Sequence, residues 1–158
     1  MTEYRPALSS AQSYAAEGEL DTWIHLYLNR EGRNPAFSDG LKLTERYYFS
    51  PVWFPLRFIR RCAGPEPGMK YRIDKDWWIR HVSDLEKSIQ NDTDMPPLFV
   101  SYVNGKFELN DGNHRYQAYQ NLGAENVPVI FWITEEADYE SFLAGYGDYV
   151  KDCVIIRK

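Results

Sequence analysis

Apolar positions recur at helical spacing twice in the chain. From Glu19 to Asn29 they are Leu20, Trp23, Ile24, Tyr27 and Leu28, which predicts a short amphipathic helix with His25 off its apolar stripe. From Lys75 to Gln90 they are Trp78, Val82, Leu85 and Ile89, predicting a second helix with Asp74 as its N-cap and His81 at the stripe's edge as a packing residue. Residues 1 to 18, polar and Ala-rich with Pro6 and Ser9-Ser10, show no clear period and read as a loose arm. Gly, Asn, Pro, Ser and Asp gather between Arg30 and Gly40, which reads as a loop.

Between Leu41 and Arg61 an almost continuous apolar run is broken by Pro51 and Pro55, so short extended pieces are expected rather than one helix. Arg57, Arg60 and Arg61 close the run, either as a solvated edge or as a phosphate-facing patch. Gly64 to Gly68 is a loop that could flank a ligand. Asn91 to Pro97 stops the second helix.

The clearest pattern lies further along the chain. Leu98 to Val103 and Lys106 to Asn110 are β-type runs around Asn104-Gly105, the dipeptide favoured where both residues of a two-residue hairpin need positive φ. The second strand runs into Asp111-Gly112 and then a helix from Asn113 to Leu122 that Gly123 closes. Val127 to Ile133 reads as a buried strand with Pro128 at its start or on an edge. Glu135, Glu136 and Asp138 open a last helix as solvated charges. Its residues Tyr139, Phe142 and Leu143 face inward, and Gly145 and Gly147 end it. Val150 to Ile156 forms an edge element.

The strand-to-helix turn Asn110-Asp111-Gly112-Asn113-His114-Arg115 is the candidate site. A helix N-terminus presents unpaired N–H groups, Gly112 permits close backbone approach, and His114 and Arg115 add donors, a combination suited to phosphate. Asp111 has two readings: it caps the following helix, or it places a divalent cation or deprotonates an acceptor hydroxyl.

Composition narrows this picture. A chain of 158 residues, 44% hydrophobic and 26% charged, holds one ordinary core, so a single domain over residues 1 to 158 is expected. Its net charge of −5 disfavours broad, sequence-independent nucleic-acid binding. The absence of clustered carboxylates at two-metal spacing disfavours DNA scission. Cys62 and Cys153 stand apart from each other and from any metal-ligand spacing, which reads as two reduced thiols in a cytoplasmic protein. No run approaches the ~18 apolar residues of a membrane helix, and no membrane role is expected.

The order of these elements resembles the ParB/sulfiredoxin superfamily. The resemblance rests on the helix with Leu85 and Ser88-Ile89, Pro97-Leu98-Phe99-Val100, and Gly105 to Leu109. It continues through Asp111-Gly112-Asn113-His114-Arg115, Ala118, Leu122-Gly123 and Val127-Pro128-Val129. It spans about residues 74 to 134, with an N-terminal extension over 1 to 73 and a C-terminal helix and edge element over 135 to 158. The implied fold is α+β: a small mixed β-sheet with flanking helices. In that superfamily the turn after the hairpin binds nucleotide phosphates. The resemblance therefore implies a site of Gly112, Asn113, His114 and Arg115, with Arg57 as an upstream contributor. Sulfiredoxins carry a catalytic cysteine where this chain has Asn113, so sulfinate reduction through that thiol is not expected. Partition-type ParB proteins carry Glu-Arg-Arg after the Gly, where this chain has Asn113-His114-Arg115. They also continue into a helix-turn-helix domain, for which residues 135 to 158 leave no room, so a complete partition clamp is not expected.

Two functions remain open from the residues alone. One is a phosphotransferase or nucleotide hydrolase resembling the free-serine kinases of the superfamily. It would use ATP or CTP with Mg²⁺, hold Asp111 and His114 near the transferred phosphoryl group, and act on an unidentified small-molecule or protein acceptor. The other is a non-catalytic module in which nucleotide stabilises the fold or switches a partner surface.

Overall fold

The computed structural model describes residues 2–158; the first residue of the expected arm, Met1, lies outside them. Its centre is a seven-stranded mixed sheet. In chain order the strands are β1 (Tyr47–Phe49), β2 (Val52–Pro55), β3 (Ile59–Arg61), a separate short parallel pair β4 (Ala63–Gly64) with β5 (Tyr71–Arg72), β6 (Leu98–Val103), β7 (Lys106–Asp111), β8 (Asn126–Ile133) and β9 (Ile155–Arg157). The sheet order is β3-β7-β6-β8-β1-β9, with β2 also on β8. Tyr48 pairs with Trp132 and Val52 with Val129, so β1 and β2 follow one edge of β8 as a bent ribbon interrupted at Ser50-Pro51. That is the form expected of an apolar run cut by prolines.

Among the described residues six α-helices flank the sheet: α1 (Leu8–Ala16), α2 (Leu20–Asn29), α3 (Pro35–Leu41), α4 (Lys75–Gln90), α5 (Asn113–Asn121) and α6 (Glu136–Val150). The period-2 alternation of β6 and β8 divides the core. Leu98, Val100, Val127, Val129 and Phe131 join Phe142 and Val150 of α6 and Tyr116 and Tyr119 of α5 on one face. Phe99 and Ile130 join Trp23, Ile24 and Leu28 of α2 on the other. α4 packs outside α5 through Trp78, Val82 and Ala118. The whole is one α+β domain, as the sequence implied.

Several elements differ from expectation. The supposed arm holds α1, whose Ala11 and Ala15 are buried one turn apart; small side chains give a helix face little hydrophobic contrast in sequence, yet they let α2 approach closely. The supposed loop contains α3, started by Asn34, whose side chain accepts from Phe37 N–H, and by Pro35 at the first helical position. Phe37 then packs on Phe99 and Trp132. α6 does not end at Gly145 or Gly147 but runs to Val150, because Tyr146 and Val150 pack on the aromatic core and outweigh about 1 kcal/mol of helix cost per glycine. The edge strand is correspondingly short, and Leu143 lies partly exposed rather than inward.

Candidate functional site

The hairpin that delivers the site forms as its turn chemistry dictates, with φ of 51° at Asn104 and 78° at Gly105. β7 is followed by Gly112, the N-cap of α5, at φ 97°. A Cβ at this position would lie 2.6 Å from Leu98 Cδ2 and 2.8 Å from Arg115 Nη2, so both conformation and space demand glycine. The first helical hydrogen bond runs from Tyr116 N–H to Gly112 O at 2.9 Å. The N–H groups of Asn113, His114 and Arg115 therefore precede the helical ladder, and no side chain caps them.

Three of the expected ligand-facing side chains point into the protein. Asn113 is buried: its Oδ1 accepts from Cys62 N at 2.9 Å and Ala63 N at 3.1 Å, and its Nδ2 donates to Leu109 O at 3.4 Å. Arg115 is 8% exposed; it donates to Tyr27 Oη and to Pro97 O, each at 3.0 Å, and Nη2 stands 3.7 Å from Asp111 Oδ2. Burial opposes its charge, but Tyr27 and Asp111 outweigh burial and hold the guanidinium pKa above its ordinary value. Asp111 Oδ1 accepts from Asn34 Nδ2 at 3.4 Å. Burial raises the Asp111 pKa, with Arg115 and Asn34 pulling against it. Asp111 and Arg115 thus form an internal pair that ties the turn to α2 and α3, in place of the free carboxylate and free guanidinium expected from the motif. Arg57 is not brought to the turn at all. It precedes β3, whose parallel register with β7 puts Ile59 beside Phe107, so Arg57 lies toward the hairpin end, over the Phe58 ring.

His114 stays at the site. Its ring lies 4.4 Å from Trp78 and 4.3 Å from His81, and its Nε2 is buried without a hydrogen-bond partner, as is His81 Nδ1. Burial, then His81, Arg115 and Arg61, push the His114 pKa down to about 4; burial also lowers that of His81. Both imidazoles are uncharged at neutral pH, so His114 offers a neutral hydrogen-bonding nitrogen rather than a cation.

Four neighbours carry no signal in the motif itself, because they come from distant segments. Arg61 lies over the Trp78 ring at 4.9 Å and is paired with Glu66 at 2.6 Å. Asn34 contacts the turn from α3. Exposed Arg33, at φ 49°, forms no ion pair among the described residues; burial is what chiefly lowers the His81 pKa, and Arg33 is the weakest of the charges acting on that ring. Cys62 puts its Sγ 3.8 Å from Asn113 Nδ2, but it is buried, donates to Leu109 O at 2.8 Å and has a pKa raised by burial, all of which suppress thiolate reactivity. Asn34-Pro35, an N-cap residue followed by proline, is the helix-start signal in the sequence that could have drawn attention to this segment.

Asp111 faces Asn34 and Arg115, and the described residues contain no group of three or more His, Cys, Asp or Glu placed to hold a metal. The side chains of the turn do not fit a protein-held Mg²⁺. No helix among the described residues is long and apolar enough to cross a membrane.

Residues 70–143 match the ParB N-terminal domain family. No curated protein matches the chain significantly. Among solved structures, Arabidopsis thaliana sulfiredoxin is 28% identical, over 59% of this chain and 96% of that one, with a TM-score of 0.43. The C-terminally truncated chromosome-partitioning protein ParB of Caulobacter crescentus complexed with CTP-γ-S is 18% identical, over 61% of this chain and 53% of that one, with a TM-score of 0.42. The structure of that truncated ParB complexed to the centromeric parS site is 20% identical, over 54% of this chain and 41% of that one, with a TM-score of 0.36. The chain therefore spans about half the length of the ParB structures it matches.

Proposed function

We propose that this ParB/sulfiredoxin-like protein binds the phosphates of a nucleoside triphosphate at the N-terminus of α5. The observation that carries the reading is the set of uncapped N–H groups of residues 113 to 115, with the unpartnered Nε2 of His114 in the same first turn of α5. A phosphate oxygen would satisfy both, since neutral imidazole and amide N–H are donors that need not shed charge to bind an anion. Gly112 keeps the approach open, and exposed Arg33, next in the chain to Asn34 on Asp111, supplies an unpaired cation. Asn113, Arg115 and Asp111 act as positioning residues that fix the turn. The family match over residues 70–143 supports the reading, because it covers the turn and the helix behind it.

In the catalytic form of the reading, an acceptor hydroxyl attacks the terminal phosphorus, the nucleoside diphosphate leaves, and the hydroxyl proton goes to the His114 ring nitrogen that is not donating to phosphate. Mg²⁺ would enter on the phosphates rather than on protein carboxylates. A second reading, binding without turnover, is favoured by the inward commitment of Asp111, the only carboxylate within the motif.

Thermal-shift and amide-NMR titrations with ATP, CTP, GTP and ADP, each with and without Mg²⁺, test the site. At least one nucleotide should raise the melting temperature and shift the amides of residues 112 to 116. Arg33→Asn, which tolerates the same backbone conformation, should weaken binding about ten-fold while leaving the unfolding curve in place. If no nucleotide at millimolar concentration affects either readout, the reading fails. Product analysis with the binding nucleotide then separates turnover from simple binding.

A further inference from the structure

A cavity of about 510 Å³ opens between α2, the segment joining α3 to β1, and the end of β9, lined by Asp21, His25, Lys42, Glu45, Tyr48 and Lys158. Asp21 and His25 stand one helical turn apart on α2, away from the Tyr27 side chain that meets Arg115. The cavity thus uses a different flank of the helix from the one that meets the turn.

The charged groups around this space are of both signs. Asp21 Oδ1 is buried and receives no hydrogen bond. Lys42 and Lys158 have no ion pair among the described residues, whereas Glu45 is engaged by Arg157 at 3.5 Å. Tyr48 makes no side-chain hydrogen bond, and burial pushes its pKa up to about 12, so it keeps its proton and can donate. His25 Nδ1 is occupied by Ser38 Oγ at 2.7 Å, and burial lowers the His25 pKa, so the ring brings no charge. Asp21 lines the space and has no ion pair among the described residues, so a cation in the cavity would meet a carboxylate not already committed. A simple anion would meet Lys42 but leave Asp21 bare and repelled; a simple cation would do the reverse.

We propose that this cavity binds a small zwitterion, with an ammonium group on Asp21 and a carboxylate between Lys42 and the Tyr48 hydroxyl. The ligand class is that of free amino acids, and the volume lies in the range of small-molecule sites. Leu41 provides the apolar wall for a short side chain or methylene spacer.

The test is amide NMR on the full ¹⁵N-labelled chain, titrated with each proteinogenic amino acid and with 4-aminobutyrate to millimolar concentration. n-Butylamine and butyrate serve as probes carrying one charge each. At least one zwitterion should shift the amides of residues 21 to 25 and 41 to 48 in a saturable manner, with each single-charge probe at least about ten-fold weaker. Asp21→Asn and Lys42→Met should each weaken that zwitterion about ten-fold, with urea unfolding unchanged as the control for folding. The proposal is overturned if no zwitterion moves those amides, if the shifts fall instead on residues 112 to 116, or if they persist undiminished in both variants. A nucleotide titration on the same sample reads the α5 turn separately, so failure at one site is distinguishable from failure at the other.

Discussion

Every polar atom of the Asn113 carboxamide is used inside the protein, and this decides what the residue does. Asn113→Ala leaves the Cys62 and Ala63 N–H groups buried without an acceptor and should destabilise the fold by about 2–3 kcal/mol, measured by urea denaturation. A small effect, within about 0.5 kcal/mol, would mean that the tie between β4 and the turn does not hold. His114 gives a pH signature whose sign follows from its environment. Its folded pKa is about 4 against an ordinary 6.5, so as pH falls the unfolded chain takes up the proton first. The contribution to stability is complete at neutrality and is lost as pH drops from about 6.5 towards 4. After discounting for a ring only about half buried, roughly 1–2 kcal/mol should disappear over that window. Urea midpoints at several pH values should show a shallower slope in His114→Gln than in wild type. Equal slopes would place the titration elsewhere, His25 and His81 being the alternatives, since burial lowers both. The letters of the Asp111-to-Arg115 motif were legible in the sequence; the direction of each side chain was not. Arg115 reaches Tyr27 and Asp111 reaches Asn34, partners 88 and 77 positions away.

Elements with strong periodicity were legible almost to the residue. α2 and α4 show apolar stripes, Asp74 caps α4 by accepting from Trp77 N–H at 3.0 Å, and the Asn104-Gly105 hairpin has its expected geometry. α1 and α3 were not legible, because a stripe of alanines and a seven-residue helix after Asn-Pro carry too little periodic contrast. α6 departs for the opposite reason: tertiary packing carries the helix through two residues that locally oppose it. Gly145 has no atom within 4 Å of where a Cβ would stand, so Gly145→Ala should raise stability by about 0.5–1 kcal/mol, read from the urea midpoint. Loss of stability there would imply that α6 needs the glycine's freedom.

At the scale of the molecule, the superfamily-like core was legible because the hairpin, turn, helix and buried strand succeed one another locally. The N-terminal segment was harder to place because α1, α2 and α3 build the second face of the core through long-range contacts with Phe99 and Ile130. Those same contacts bring Tyr27 and Asn34 to the turn, so the N-terminal extension holds Arg115 and Asp111 in place. Cys62 sits at this junction, its Sγ on Leu109 O and its backbone N–H on Asn113. The sealed thiol is therefore a built-in clock for the opening of the turn. With Cys153→Ser removing the other cysteine, reaction of Cys62 with a disulfide reagent should be gated by excursions that break these bonds. Labelling should be far slower in native buffer than in denaturant, faster in Asn113→Ala, and slower again when any ligand occupies the α5 terminus. Equal rates in native and denaturing buffer would show that the junction breathes freely, and the labelling rate would then carry no memory of what is bound.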